Sequence, residues 1–396
     1  MDAGAPAARL APDLAPSAHY TVSSAVRCKE CHAPIVDEWR ASAHAHAASA
    51  PLYALGRGQA TSAAACDRCH APFAGHTEAD DPVPSEGVTC DVCHAVAAVD
   101  EARTGGAFTL KTEDNVKYGT LCDAAAHYFH KMGCSPLHDE GRFCAACHLL
   151  YQRTGSVEIP VFTEYEEWKQ GPWADQKDCQ GCHMPGRAGI AATGAKKRDE
   201  VAHHGDFGLD DGLRRRAVAM SVQLAATADG VRADVELHNE GAGHRVPTGM
   251  PGRQLVLALR TVASDGHVVD EKERVYQRAL VDASDRPAPF WRAVRMAGDD
   301  RLGPREKRVE TIELRGAPGA KLEARLVWRA LDPRITAALG LPAAPLLPPA
   351  GELVARDAKG AVTVEILREA RLPLPAAGRT APRVTVAAPR PARGHR

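Results

Sequence analysis

Ten of the chain's twelve cysteines fall in five copies of one pentapeptide, Cys-x-x-Cys-His, and no other feature limits the fold as tightly. The copies are Cys28-Lys-Glu-Cys31-His32, Cys66-Asp-Arg-Cys69-His70, Cys90-Asp-Val-Cys93-His94, Cys144-Ala-Ala-Cys147-His148 and Cys179-Gln-Gly-Cys182-His183. Two thiols one helical turn apart can add to the two vinyl groups of one porphyrin, and the next residue then offers its imidazole to the iron. Structural zinc sites also use Cys-x-x-Cys pairs, but they need four ligands and no His after every second Cys. Thioredoxin-like pairs occur singly beside a βαβ pattern, which this sequence lacks. The repeats therefore predict five covalently attached c-type haems. The ten cysteines are the attachment residues, and His32, His70, His94, His148 and His183 are the proximal ligands.

Composition supports this reading. The 396 residues include only 5 Trp, 7 Tyr and 7 Phe, so flat apolar porphyrins are expected to fill a core that few aromatic rings could fill. The net charge of −1 offers no field for nucleic acid or an anionic membrane. It averages two unlike halves. Residues 1–205 carry 18 Lys/Arg against 26 Asp/Glu, a net of −8, whereas residues 206–396 carry 31 against 24, a net of +7. This separation suits either electrostatic docking of the halves or a polarised face for a redox partner. The longest uncharged apolar stretch, Ile335 to Gly351, holds four prolines and cannot form a spanning helix. Haem c is attached outside the cytoplasm, so a periplasmic or extracellular location is expected. Residues 1–20 show no apolar signal-peptide core, and a signal segment is therefore read as absent from this sequence.

The two remaining cysteines, Cys122 and Cys134, enclose His127 and His130. A disulfide is the expectation for an oxidising compartment, stabilising by about 3 kcal/mol through loop closure. The alternative is a sixth, unorthodox haem site, because His138 follows Cys134 at four residues.

An iron that only carries electrons has both axial positions filled, and nine further histidines precede residue 206. His44 and His46 lie on an expected helix over Ala33–Ala50 and point to nearly opposite sides, with His44 favoured as a ligand. His76 follows the second motif on a Gly-containing loop. His127 and His130 are expected on one helix face, with His127 taken as the ligand and His130 and His138 left open. His203 and His204 close the haem-bearing half, and His204 is the candidate. Glu240-Gly-Ala-Gly-His244-Arg-Val-Pro-Thr-Gly249 is a loop from which His244 is expected to cap a haem.

The expected architecture is α+β and multidomain. It comprises an extension over residues 1–24, a haem-packed, mostly helical and loop-built pentahaem domain over 25–205, an antiparallel immunoglobulin-like β-sandwich over 206–372, and a Pro/Ala/Arg-rich tail over 373–396 that is disordered at its end. Strands are expected at Ala217–Leu224, Val231–His238, Gln254–Val262, Arg274–Val281, Lys307–Leu314, Leu322–Trp328 and Val362–Leu367, with a short helix within Asp332–Leu341.

Several stretches resemble a known family. Cys28-x-x-Cys-His…Trp39-x-x-Ser-Ala-His44-Ala, Gly87-Val-Thr-Cys-Asp-Val-Cys-His94, Tyr165-Glu-Glu-Trp168 and Cys179-Gln-Gly-Cys-His-Met-Pro185 are similar to multihaem cytochromes c related to the tetrahaem electron carrier of hydroxylamine oxidoreductase. Gly243-His-Arg-Val-Pro-Thr-Gly249 and Asp300-Arg-Leu-Gly-Pro-Arg-Glu306 resemble the β-sandwich appended in bacterial members. The resemblance implies closely packed haems, bis-histidine ligation including His44, His244 and His204, and electron exchange with redox proteins of the cell envelope. The family also holds reductases of nitrogen and sulfur oxyanions. Its pentahaem nitrite reductases carry Lys in place of one motif His, and all five motifs here end in His. Two alternatives accompany the electron carrier: a reductase working at a haem without a sixth protein ligand, and a subunit of a conductive filament that self-assembles through the sandwich.

Overall fold

The computed structural model describes residues 22–387 except 79, 101–106, 113–114, 126, 206–210, 318, 350–351 and 358–361. Most of the expected N-terminal extension and the end of the expected tail lie outside the described residues. The chain divides into two compact units, Met1–Lys169 with Trp173–Asp210 and Gln170–Pro172 with Asp211–Arg396.

Short helices carry the haem motifs of the first unit. Helix α1 (Ala25–Arg40) kinks at the non-helical His32, two residues before Pro34. Its start is gathered by Glu86, whose carboxylate accepts from the Ser24 hydroxyl, the Ala25 amide at 2.9 Å and the Thr89 hydroxyl at 2.7 Å. Helices α2 (Pro51–Gln59), α3 (Ala63–His70) and α4 (Cys90–His94) follow. Four two-stranded ribbons come next. They are β1 (Val96–Asp100) with β2 (Ala107–Leu110), β3 (Val116–Gly119) with β4 (Lys131–Cys134), β5 (Leu150–Thr154) with β6 (Val157–Phe162), and β7 (Gly186–Ile190) with β8 (Lys197–Ala202). Between them stand α5 (Gly141–His148), α6 (Glu164–Lys169) and α7 (Cys179–His183).

The ribbons add to the helices and loops expected of this half. The ribbons are short and mostly half-exposed, so they carry no sustained alternation for a sequence reading to detect. Two local expectations change. Helix α1 stops at Arg40, leaving His44 and His46 in the turns beyond it. His127 and His130 flank a turn and form an isolated antiparallel bridge instead of sharing a helix face. Cys122 and Cys134 are joined by a disulfide, as expected, which removes them from any sixth haem site. Protein side chains form only small apolar clusters here, the largest being Phe73, Val83, Val92, Val96, Phe108, Leu137 and Ala146.

The second unit is built differently. After α8 (Asp211–Ala217) come β9 (Val218–Ala226), β10 (Gly230–Asn239), β11 (Gln254–Val262), β12 (Val268–Tyr276), β13 (Arg278–Val281), β14 (Arg295–Asp299), β15 (Lys307–Arg315), β16 (Lys321–Arg329), helix α9 (Pro333–Ala338), β17 (Val354–Arg356), β18 (Val362–Pro373) and β19 (Val384–Val386). Two antiparallel sheets, ordered β15-β10-β9-β19 and β12-β11-β16-β18-β17, bury their facing sides in one core. Alternate residues enter it, among them Val218, Met220, Val222 and Leu224 from β9 and Leu255, Leu257 and Leu259 from β11. The other face of the second sheet buries Val256, Val327, Ala355 and Val364 beneath Ala344 and Leu347.

Two strand expectations need correction. The run Arg274–Val281 is split between β12 and β13, which belong to different sheets. Strand β12 starts earlier, beyond the turn at Gly266 (φ +93°), and its charged row from Asp270 to Arg274 suits an exposed edge strand. Within the expected tail β18 reaches Pro373 and β19 pairs with β9, while the end expected to be disordered lies outside the described residues.

Candidate haem sites

In the second to fifth motifs the second Cys and its His end a short helix, and in the first they stand at the kink of α1, so the residues of each motif share one helical segment. Three proximal imidazoles are oriented by backbone carbonyls. His32 Nδ1 donates to the Ala191 carbonyl at 2.7 Å, His94 Nδ1 to the Tyr118 carbonyl at 2.7 Å, and His70 Nδ1 to the Ala47 carbonyl at 3.1 Å. A carbonyl accepts only from N–H, so the proton sits on Nδ1 and the Nε2 lone pair faces outward, as a metal ligand requires.

A geometric test asks which histidines face one another across an iron. With each metal–nitrogen bond near 2 Å and each ring centre about 1 Å behind its nitrogen, two ligating imidazoles stand about 6 Å apart. Three motifs meet this spacing. His32 faces His130 at 6.2 Å, His148 faces His44 at 6.4 Å, and His94 faces His204 at 6.3 Å. His130 and His204 repeat the proximal pattern, with Nδ1 donating to the Lys131 carbonyl at 3.2 Å and the Ala202 carbonyl at 2.9 Å. His138 also lies 6.0 Å from His94, but its Nε2 donates to the Cys93 carbonyl at 3.0 Å. That puts the proton on Nε2 and the lone pair on Nδ1, which is buried without a hydrogen-bond partner, so both His204 and His138 face His94 at the spacing of a shared metal.

Burial keeps these imidazoles neutral and their lone pairs available. It lowers His44 to about 3, with His148 and His183 adding to the effect, and lowers His204 to about 4, with His94 adding to it. His94, His70 and His130 shift downward for the same first cause.

The other expected ligands are placed as follows. His127 stacks on Tyr128 and Phe129, at 4.1 and 5.4 Å, and it is His130 that faces His32. His46 is exposed just beyond His44, and His203 donates through Nδ1 to Glu38 at 2.8 Å. His76 follows Gly75 (φ +79°) on a turn, and the ring that stacks on His70 is Tyr53, at 4.7 Å. Tyr53 and Arg57 both donate to Asp67, inside the second motif, and so fix α2 against α3. His244 belongs to the second unit, where Asn239 donates to its carbonyl at 2.9 Å.

Residues that the sequence reading passed over hold these ligands in place. Gly87 (φ +73°) approaches so closely that a Cβ there would lie 2.5 Å from the His44 carbonyl oxygen. That carbonyl accepts from Val88 N–H at 3.0 Å, while the Trp39 indole donates to the Val88 carbonyl at 2.8 Å. The resembling segments Trp39…His44 and Gly87…His94 are therefore bonded to each other. Glu38 similarly accepts from His203 and from the His204 amide at 2.9 Å, and pairs with Arg187.

Thiols of different motifs also meet. Hydrogen bonding between the pairs raises Cys90 and lowers Cys28, raises Cys147 and lowers Cys69, and raises Cys144 and lowers Cys179. These shifts describe thiols before attachment, but the contacts show which attachment sites are neighbours. Gln180 adds a second tie between the fourth and fifth motifs by donating to the His138 and Glu140 carbonyls at 2.9 and 3.0 Å.

Residues 27–95 match the family described as cytochrome c554 and c-prime. The fold is similar to the crystal structure of a penta-heme cytochrome c552 from Thermochromatium tepidum, with a TM-score of 0.69 and 21% identity over 89% of this chain and 99% of that one. No curated protein sequence matches the chain. The fold and motifs are those of multihaem c-type cytochromes. Haem binding and electron transport follow as the coarse function. Among the described residues no helix is long and apolar enough to cross a membrane.

Proposed function

We propose that the protein is a pentahaem electron relay of the periplasm or the extracellular space, with its haems on the five Cys-x-x-Cys-His motifs. The observation that carries this reading is the facing of His32, His94 and His148 by His130, His204 and His44 at the spacing of a shared metal. When bound, the haems supply reversible one-electron iron couples. The chain's own residues hold three proximal imidazoles with the proton on Nδ1, and at three motifs they offer a second imidazole that would ligate the same iron. For the remaining two motifs, His76 and His244 are carried as distal ligands on their sequence context.

The neighbouring thiols give the relay an order. The first motif adjoins the third through Cys28 and Cys90, the second adjoins the fourth through Cys69 and Cys147, and the fourth adjoins the fifth through Cys144 and Cys179. Val92 of the third motif and Ala146 of the fourth share one apolar cluster, with Cys147 packed against it, which links the third motif to the fourth. The relay thus branches at the fourth motif, with the first, second and fifth at its ends. Such ends suit exchange with redox proteins of the envelope. The finer kinship, to the tetrahaem carrier of hydroxylamine oxidoreductase, rests on the motif sequences, and the paired sheets of the second unit fit an immunoglobulin-like sandwich.

Intact mass and potentiometric titration of the mature protein test this reading. Five haems and five electrons per chain are expected, and fewer of either would contradict it. An oxyanion or hydroxylamine reductase, the alternative carried from the resemblance of the motif sequences, is separated from the relay by ligand binding. Under that reading, nitrite or hydroxylamine perturbs the ferric absorption spectrum; for a pure relay the spectrum stays unchanged.

A further inference from the structure

We infer that the Cys122–Cys134 disulfide is a positioning element that holds His130 opposite His32 and so keeps the haem of the first motif six-coordinate. The inference rests on the proposed role of His130 as that haem's distal ligand.

His130 sits on a weakly supported segment. It directly precedes β4, which pairs in parallel with β3 in the register Val116↔Lys131 to Gly119↔Cys134. Parallel pairs are ordinarily joined by long crossovers inside larger sheets, and a two-stranded sheet is marginal on its own. This ribbon has four residues a side and, among the described residues, no third strand. Among the described residues from Thr120 to Lys131 none is buried; Tyr128, at the turn, is 83% exposed. Without apolar burial the loop has little to offset the entropy of being ordered.

Polar ties stand at the ribbon's ends. Lys131 N–H donates to the Asn115 carbonyl at 2.9 Å, Ser135 N–H to the Gly119 carbonyl at 2.9 Å, and the Asn115 side chain donates to the Phe129 carbonyl. His127 N–H donates to the His130 carbonyl at 3.2 Å. The disulfide closes the same loop covalently across a separation of 12 residues, joining its base to the end of β4. Cross-linking here excludes the open conformations in which His130 would swing away from His32.

Strand β3 serves the third motif independently. Lys117 pairs with the buried Asp91 at 2.7 Å, and the Tyr118 carbonyl orients His94. Loss of the cross-link should therefore free the distal side of the first haem while leaving the proximal side of the third intact. A merely stabilising disulfide would lower the protein's melting temperature and leave ligation unchanged.

The experiment compares holoprotein carrying Cys122→Ser with Cys134→Ser against His130→Ala and His127→Ala, each reduced with dithionite and titrated with carbon monoxide. The His130→Ala and double-serine variants are each expected to bind about one more carbon monoxide per chain than the parent, and His127→Ala to match the parent. If the serine pair matches the parent while His130→Ala gains an equivalent, the disulfide proposal is overturned and the ligand assignment stands. If His130→Ala gains nothing, the assignment itself fails. Should the serine pair not mature, folded holoprotein is treated with a phosphine, the freed thiols are alkylated with iodoacetamide, and the same titration decides.

Discussion

Glu38 gathers three groups at one carboxylate. It accepts from the His203 ring and from the His204 amide, and it pairs with Arg187. Because α1 begins in the first motif and His204 faces the proximal ligand of the third, Glu38 ties the distal ligand of one site to the helix of another. Replacing Glu38 with Ala should loosen His204 and give the third haem partial high-spin character in resonance Raman spectra; unchanged spin-state bands would refute this role. Gly87 is a second such point. Gly87→Ala forces a left-handed φ on a β-carbon, costing about 1–2 kcal/mol, and adds a clash with the His44 carbonyl. It should lower the yield of mature protein and free the distal side of the fourth haem. Gly58→Ala, where a Cβ meets nothing within 4 Å, is the neutral comparison. Neither Glu38 nor Gly87 is identifiable as a ligand support from sequence, because each acts on residues dozens of positions away. The attachment motifs were legible because their chemistry is local; which histidine faces which depends on how short ribbons fold back.

Among the elements, legibility followed burial pattern. Strand β11 coincides with the expected Gln254–Val262, β10, β15 and β16 extend their expected runs by one residue at one or both ends, and β9 starts one residue later and ends two later than expected, because alternate side chains enter the shared core. Strand β12 was only partly legible, since its outer row is charged, and β19 was hidden in a Pro-rich stretch. The same logic predicts where truncation is costly. Leu257, fully buried in β11, should lose about 2–5 kcal/mol on replacement with Ala, measured by denaturant unfolding of the second unit's signals. The haem Soret band at neutral pH should be unaffected in the folded variant. A loss below about 1 kcal/mol would show that this core position collapses readily.

On the scale of the whole molecule, the two units should respond to acid in different windows. In the first, His44, His138 and His204 sit at about 3, 4 and 4 against an ordinary 6.5, chiefly through burial. The unfolded chain therefore binds more protons than the folded one below pH 6.5. Stability is complete above 6.5 and is lost as the pH falls toward 4 and 3. Iron bonding to the same nitrogens acts in the same direction. In the second unit, burial raises Asp299 and Glu323, but guanidiniums outweigh it: Arg301 and Arg278 for Asp299, and Arg260, Arg325 and Arg371 for Glu323. Both stay below their ordinary 3.8 and 4.5, so their contribution survives to lower pH before it is lost. Calorimetry across pH 7 to 3 should show the first unit's transition falling well before the second's; a joint shift would contradict the separation.

How the irons are ligated decides whether the protein is a pure electron relay. Spin-quantified electron paramagnetic resonance of the oxidised holoprotein measures this most directly. Bis-histidine ligation at all five motifs predicts five low-spin ferric haems per chain, unaltered by nitrite. A high-spin signal equal to one haem or more, shifting when nitrite is added, would contradict it.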